Sequence, residues 1–214
     1  MKIVFFGDSI TDAGRNREWQ DETDGVNGFG MGYVNAVVSE LVLRDANKYV
    51  ATNSGIGGNR VVDLYARIKK DCWNYNPDVI SVLVGVNDVW HEINWKNGVE
   101  LDRFEKIYRM LLQDTLKVLP NAKIMIIEPF ILHGSSTNER YEELLVTREY
   151  AKVAKKLAEE LKLPFVATQD KLDDFAAKFG ERKVLVDGIH PAMLGARIIA
   201  NEWLKVFDEK VDVE

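Results

Sequence analysis

The sequence predicts a three-layer α/β/α sandwich around a five-stranded parallel sheet, and three observations carry that prediction. Short β-branched and apolar runs alternate with stretches of helical period five times. The first of these runs, Ile3 to Phe6, is continuously apolar, as suits a strand covered on both faces. No composition break, internal repeat or low-complexity tract interrupts the pattern. Such alternation implies right-handed crossovers that lay helices on both faces of the sheet. The 214 residues fall within the range of one α/β unit, so a single domain across residues 1–214 is expected.

The first strand is Ile3-Val4-Phe5-Phe6, broken by Gly7, which lets the chain leave the sheet and lift Asp8 and Ser9 above the strand's carboxyl end. A polar, glycine-rich passage over residues 12–32 follows, long for a loop and placed to wall a site. Tyr33, Val34, Val37, Val38, Leu41 and Val42 then recur at helical spacing as far as about Asp45. Residues 49–52 form the second strand, and residues 53–60 join it to a helix marked by Val61, Leu64, Tyr65, Ile68 and Cys72. Residues 78–84 form the third strand, which again ends in glycine, at Gly85-Val86-Asn87-Asp88. A helix bearing Leu101, Phe104, Tyr108, Leu111, Thr115 and Val118 closes before Pro120. Residues 123–127 are the fourth strand, followed by a loop through Pro129, His133 and Gly134. One long helix is expected over residues 139–161, with Ala151, Ala154, Ala158 and Leu161 inward, then a fifth strand over residues 165–168 and a short helix over 172–179. The last helix carries Ala196, Ile199, Trp203 and Phe207 on one face and begins just after Asp187-Gly188-Ile189-His190-Pro191, with Pro191 in its first position.

Composition narrows the function. Hydrophobic residues at 46% and charged residues at 29% are ordinary for a globular chain and argue against disorder. A net charge of −6 without any basic cluster argues against nucleic acid or an anionic membrane as the main partner. The single cysteine, Cys72, excludes an intrachain disulfide and lies on an apolar stripe, which reads as core. No histidines stand at ligand spacing and there is no second cysteine, so neither a zinc site nor a cofactor is expected. No run approaches the ~20 apolar residues that span a bilayer, and the start of the chain lacks the pattern of a signal peptide. A cytoplasmic location is therefore expected, while the oligomeric state, a homo-oligomer included, stays open.

The polar tips fall on connections that leave strand carboxyl ends, apart from the final pair, and in a parallel sheet these converge on one rim. A serine there becomes a nucleophile only when a histidine held by a carboxylate takes its proton. Of three histidines, His190 is the one that combines an acid three residues before it, Asp187, with a proline-started helix after it; His91 and His133 lack that combination and receive no catalytic role. A helix amino end disfavours a cation, so Asp187 would stabilise the imidazolium. Donors for a tetrahedral oxyanion are the Ser9 N–H, the Gly58 N–H and the Asn87 side-chain amide. Each also has a plainer reading: Ser9 as the cap of Ser9-Ile10-Thr11-Asp12, Gly57-Gly58 as a helix-entry turn, Asn87-Asp88 as an Asx turn, His190 as a surface cap.

Taken together, Gly7-Asp8-Ser9-Ile10, the stretch Asn53-Ser54-Gly55-Ile56-Gly57-Gly58-Asn59, Gly85-Val86-Asn87-Asp88 and Asp187-Gly188-Ile189-His190-Pro191 resemble the four blocks of the GDSL/SGNH hydrolase superfamily, in order and across nearly the whole chain. The resemblance implies a flavodoxin-like SGNH hydrolase fold, with Ser9 as nucleophile, His190 as base, Asp187 as its orienting acid, and Ser9, Gly58 and Asn87 as oxyanion hole. Ile10 replaces the leucine of the family's name. The extended first block, Gly7 onward through Thr11-Asp12-Ala13-Gly14-Arg15, with Asn87-Asp88-Val89-Trp90, looks most like the branch of carbohydrate acetyl esterases such as acetylxylan esterases. Asp8 and Trp90 are the substrate-contact candidates, with Trp19 and Trp95 behind them. The expected activity is hydrolysis of short-chain, above all acetyl, esters of small-molecule or oligosaccharide substrates. The alternatives are a lysophospholipase or thioesterase and, from another class, a nucleotide- or sugar-binding module. For the nucleotide reading, the glycine pattern fails at Arg60.

Overall fold

Five parallel strands form one sheet in the order β2-β1-β3-β4-β5: β1 Lys2–Gly7, β2 Val50–Gly55, β3 Val79–Leu83, β4 Lys123–Ile127 and β5 Phe165–Val166. The computed structural model describes residues 1–19 and 26–212. The first crossover runs outward from β1 to β2 and the next returns past β1 to β3, so the winding reverses between β1 and β3, where open α/β sheets hold their ligands. Gly7 stands opposite both Gly55 and Leu83, so three strands end flush along one rim.

The helices are α1 Ser9–Asp12, α2 Tyr33–Arg44, α3 Val61–Asp71, α4 Val86–Trp95, α5 Leu101–Val118, α6 Tyr141–Leu144, α7 Thr147–Leu161, α8 Gln169–Phe179, α9 Glu181–Val184 and α10 Met193–Lys210. Strand alternation divides them into two layers. Ile3 and Phe5 of β1 face a core shared with α2, α8, α9 and α10; Val4 and Phe6 face one shared with α3, α5 and α7. Trp203 of α10 is fully buried, lies 5.4 Å from the Phe5 ring, and donates its indole N–H to Ser81 of β3 at 2.9 Å. The C-terminal helix is thereby anchored to the two central strands. Cys72 closes α3 in the core, and burial pushes its thiol up to about 12. Among the described residues no helix is long and apolar enough to cross a membrane.

The predicted sandwich is present, with four local departures. β2 runs on through Asn53-Ser54-Gly55, because the buried Asn53 side chain is satisfied: it donates to Thr11 O at 2.7 Å and Phe29 O at 3.0 Å and accepts from Gly55 N. The stretch after β3, where the sequence predicts no element, is the helix α4, opened by Gly85. The expected helix over 139–161 is two, α6 and α7, with a step between them. Leu144 and Tyr150 are both buried, yet on one straight helix six residues leave them about 120° apart, and the step returns both to the core. The fifth strand stops at Val166, since Thr168 turns to bond Glu128 and starts α8.

The helix α1 is pressed onto the rim. A Cβ on Gly55 would lie 2.2 Å from Asp12 N and 2.7 Å from Asp12 Cα, both backbone. Gly55→Ala is expected to push α1 off the sheet and destabilise the chain by about 1–3 kcal/mol, read as a lower urea midpoint; an unchanged midpoint would contradict this packing.

Candidate active site

Asp8, not Ser9, caps α1: its Oδ1 accepts from Ile10 N at 2.9 Å. Ser9 is thus the first helical residue, and among the described residues its N–H has no protein acceptor. Ser9 Oγ lies 3.0 Å from His190 Nε2 across 181 residues of chain. His190 Nδ1 lies 2.8 Å from Asp187 Oδ2, while Asp187 Oδ1 accepts from the N–H groups of Ile189 and His190 at 3.0 and 2.8 Å. Burial would raise the Asp187 carboxyl, but the His190 and Ile189 N–H groups and the His190 ring outweigh it and hold it below its ordinary value.

The loop carrying Asp187 and His190 is closed by an antiparallel bridge between Leu185 and Pro191, with Val186 N donating to His190 O at 2.8 Å. Pro191 is therefore not the first residue of the last helix, which begins at Met193 after Ala192. His190 stands clear of the helix amino end, and its orientation comes from the bridged loop. A second support was not visible in the sequence: Ser136 donates its hydroxyl to Asp187 Oδ2 at 3.2 Å and its N–H to Asp187 O at 3.0 Å. His133, by contrast, stacks on Tyr141 with ring centroids 3.5 Å apart.

On the other side of Ser9 lies the loop after β2. A Cβ on Gly57 would be 3.8 Å from Ser9 Cβ, and Gly58 has φ +80°, a left-handed geometry that glycine adopts without strain. Among the described residues the Gly58 N–H has no protein acceptor. Asn87, on the first turn of α4, donates one amide hydrogen to Asn59 O at 3.2 Å, which leaves its second for another acceptor. The adjoining Asp88 accepts from Val61 N at 3.0 Å. Two consecutive residues of α4 therefore clamp the loop around Gly58. His91, one turn further, sets its ring edge 3.9 Å from where a Gly58 Cβ would be.

The expectation that Asp8 contacts substrate is not met, because its side chain is fully buried behind Ser9. Its Oδ2 has no partner, and burial pushes its pKa up to about 7 against the opposing pull of the Ile10 N–H and His190. Asp88 is buried with an unpartnered Oδ2 as well, and burial raises it well above the carboxylate range, Asp8 adding to the effect. Trp90 is half-buried and Trp95 is 64% exposed. The Trp19 side chain and residues 20–25 of the passage expected to wall the site lie outside the described residues. Among the described residues no three His, Cys, Asp or Glu side chains gather as metal ligands.

The chain is an ester hydrolase by its family: it belongs to the GDSL-like lipase/acylhydrolase family, whose model matches residues 5–198. Among individual proteins it is 33% identical to an acetylxylan esterase of Geobacillus stearothermophilus over 213 residues, 95% of this chain and 92% of that one. The solved structure of Axe2, an acetylxylan esterase from that organism, superposes with a TM-score of 0.86 at 32% identity, covering 97% of this chain and 94% of the other. A putative GDSL-like lipase from Parabacteroides merdae gives 0.90 at 36% identity, covering 96% and 94%.

Asp8 gives a pH test with a definite sign. Unfolded, it ionises near 3.8; folded, near 7, so the folded chain keeps a proton that the unfolded chain releases. The stability this contributes is full below about pH 4 and is lost as the pH rises through about 7. Asp8→Asn keeps an oxygen for the Ile10 N–H, and denaturant titrations should find its stability falling less than the parent's between about pH 4 and pH 8. Equal falls would place the slope elsewhere.

Proposed function

We propose that the chain is a serine esterase that removes short acyl groups, acetyl above all, from carbohydrates through an acyl-enzyme on Ser9. One observation carries the reading: the continuous line from Ser9 Oγ through His190 to Asp187, with contacts of 3.0 and 2.8 Å. With Nδ1–H donating to Asp187, His190 Nε2 takes the Ser9 proton as Oγ attacks the ester carbonyl. The Ser9 and Gly58 N–H groups and the free Asn87 amide hydrogen receive the oxyanion. His190 then gives its proton to the departing sugar oxygen, the C–O bond breaks, and the acyl group stays on Ser9. Water, deprotonated by His190, attacks the acyl-enzyme, and Ser9 leaves with the proton.

Further support comes from the Geobacillus relative. Its structures include catalytic mutants in which a serine, an aspartate and a histidine are replaced by alanine, the last two lying three positions apart. Asp187 and His190 have that spacing. The relative's action on acetylated xylan supports acetyl over long acyl chains and a carbohydrate as the alcohol.

With p-nitrophenyl acetate, Ser9→Ala should lower kcat by on the order of 10⁶, and Asn87→Ala by about 10²–10³. Full turnover by pure Ser9→Ala would reject the mechanism. Across synthetic esters of rising acyl length, kcat/KM should drop steeply beyond the shortest members; a rise toward long chains would make the chain a lysophospholipase or thioesterase instead.

A further inference from the structure

The helix α4 has an unusual outward face. Asn87, Trp90, His91, Asn94 and Trp95 follow at i, i+3, i+4, i+7 and i+8, so they form one stripe about 140° wide, with Trp90, packed on the apolar cores, at one edge and Trp95 at the other. Exposure rises along it, from Asn87 at 9%, through half-buried Trp90 and His91, to Trp95 at 64%. The stripe carries no formal charge, whereas the solvent sides of α5 and α7 bear ion pairs such as Lys106 with Asp102 and Lys152 with Glu149. Large aromatic surface left in water is unfavourable, and a contiguous run of it usually marks a place where something binds.

Both flanks of this stripe reach the site. On one, His91 lies against Gly58 and meets Trp95 edge-on with ring centroids 4.7 Å apart. Burial and the Arg60 cation hold the His91 ring below its ordinary pKa, Asp63 opposing them. On the other flank, Trp90 and Asn94 line a hollow of about 80 Å³ shared with Ser136, whose hydroxyl bonds Asp187, and with Arg140. From Asn87 to Trp95 the helix rises about 12 Å, so the stripe leads outward from the oxyanion donors. No charged side chain stands on the stripe itself, although Glu139 and Arg140 border the hollow at its flank. Aromatic faces flanked by amides and an imidazole match a sugar chain, whose rings offer C–H faces to stack and hydroxyls to bond.

We propose that this stripe is a saccharide track: the glycan that bears the scissile ester lies along α4, a sugar ring against Trp95, its hydroxyls bonded to Asn94 and His91, with Trp90 bounding the opposite edge. The assignment rests on the esterase reading of Ser9 and extends it from the acyl group to the alcohol. It makes the enzyme select for a chain of sugars rather than for any acetyl ester.

The test compares the parent, Trp95→Ala and Trp95→Phe on acetylated xylo-oligosaccharides and on p-nitrophenyl acetate. Trp95→Ala should raise KM for the oligosaccharides and lower their kcat/KM relative to p-nitrophenyl acetate roughly tenfold, with Trp95→Phe restoring most of the ratio. Separately, unacetylated xylo-oligosaccharide added to Ser9→Ala should quench tryptophan emission, and the quench should shrink when Trp95→Ala is combined with it. An unchanged ratio, an equal loss on both substrates, or an unaltered quench would overturn the track. None of those results touches the nucleophile, whose own failure would appear as undiminished turnover by Ser9→Ala.

Discussion

Where the Ser9 hydroxyl stands depends on how closely a four-residue helix can approach the ends of two strands. β1 and β2 finish side by side at Gly7 and Gly55, and α1 lies directly on them, with Asn53 tying its carbonyl end to the sheet. Arg15 and Arg67 complete the clamp by donating to the carbonyls of Gly55 and Gly7. A helix this short has no stability of its own. Its geometry is imposed by the strands beneath it, so the hydroxyl inherits the rigidity of the sheet.

The same rim holds two unfavourable burials. Asp8 and Asp88 sit without water contact, each with one oxygen unpartnered. Each is adjacent to a residue of the proposed chemistry, Ser9 and Asn87, and each uses its other oxygen to fix a helix start. Apolar residues there would pack well but accept no hydrogen bond, leaving the Ile10 and Val61 N–H groups without their acceptors. Stability is given up where precise placement is needed, as is usual at sites that act.

The sequence was most legible where one period dominates. The sheet strands, α2, α5 and the buried face of α10 announce themselves through apolar repetition, and Ser9, Asp187 and His190 through residue chemistry at turns. The helix α4 was missed because two of its four buried residues, Asn87 and Asp88, are polar and only Val86 and Val89 are apolar, while its aromatic and amide stripe dilutes the amphipathic signal. Ser136 carries no local mark at all, since its value lies in meeting Asp187 from 51 residues away. His190 was expected at the head of a helix because proline commonly starts one; the bridge from Leu185 to Pro191 is a tertiary preference that no local rule encodes.

The separation between Ser9 and His190 has a consequence for how the protein is made. The amino-terminal strand and its hydroxyl emerge from the ribosome long before the imidazole 181 residues later, and α10, which docks Trp203 against Phe5 and Ser81, follows later still. On the mechanism proposed above, a nascent chain that has not yet reached His190 therefore presents the serine without a base to take its proton.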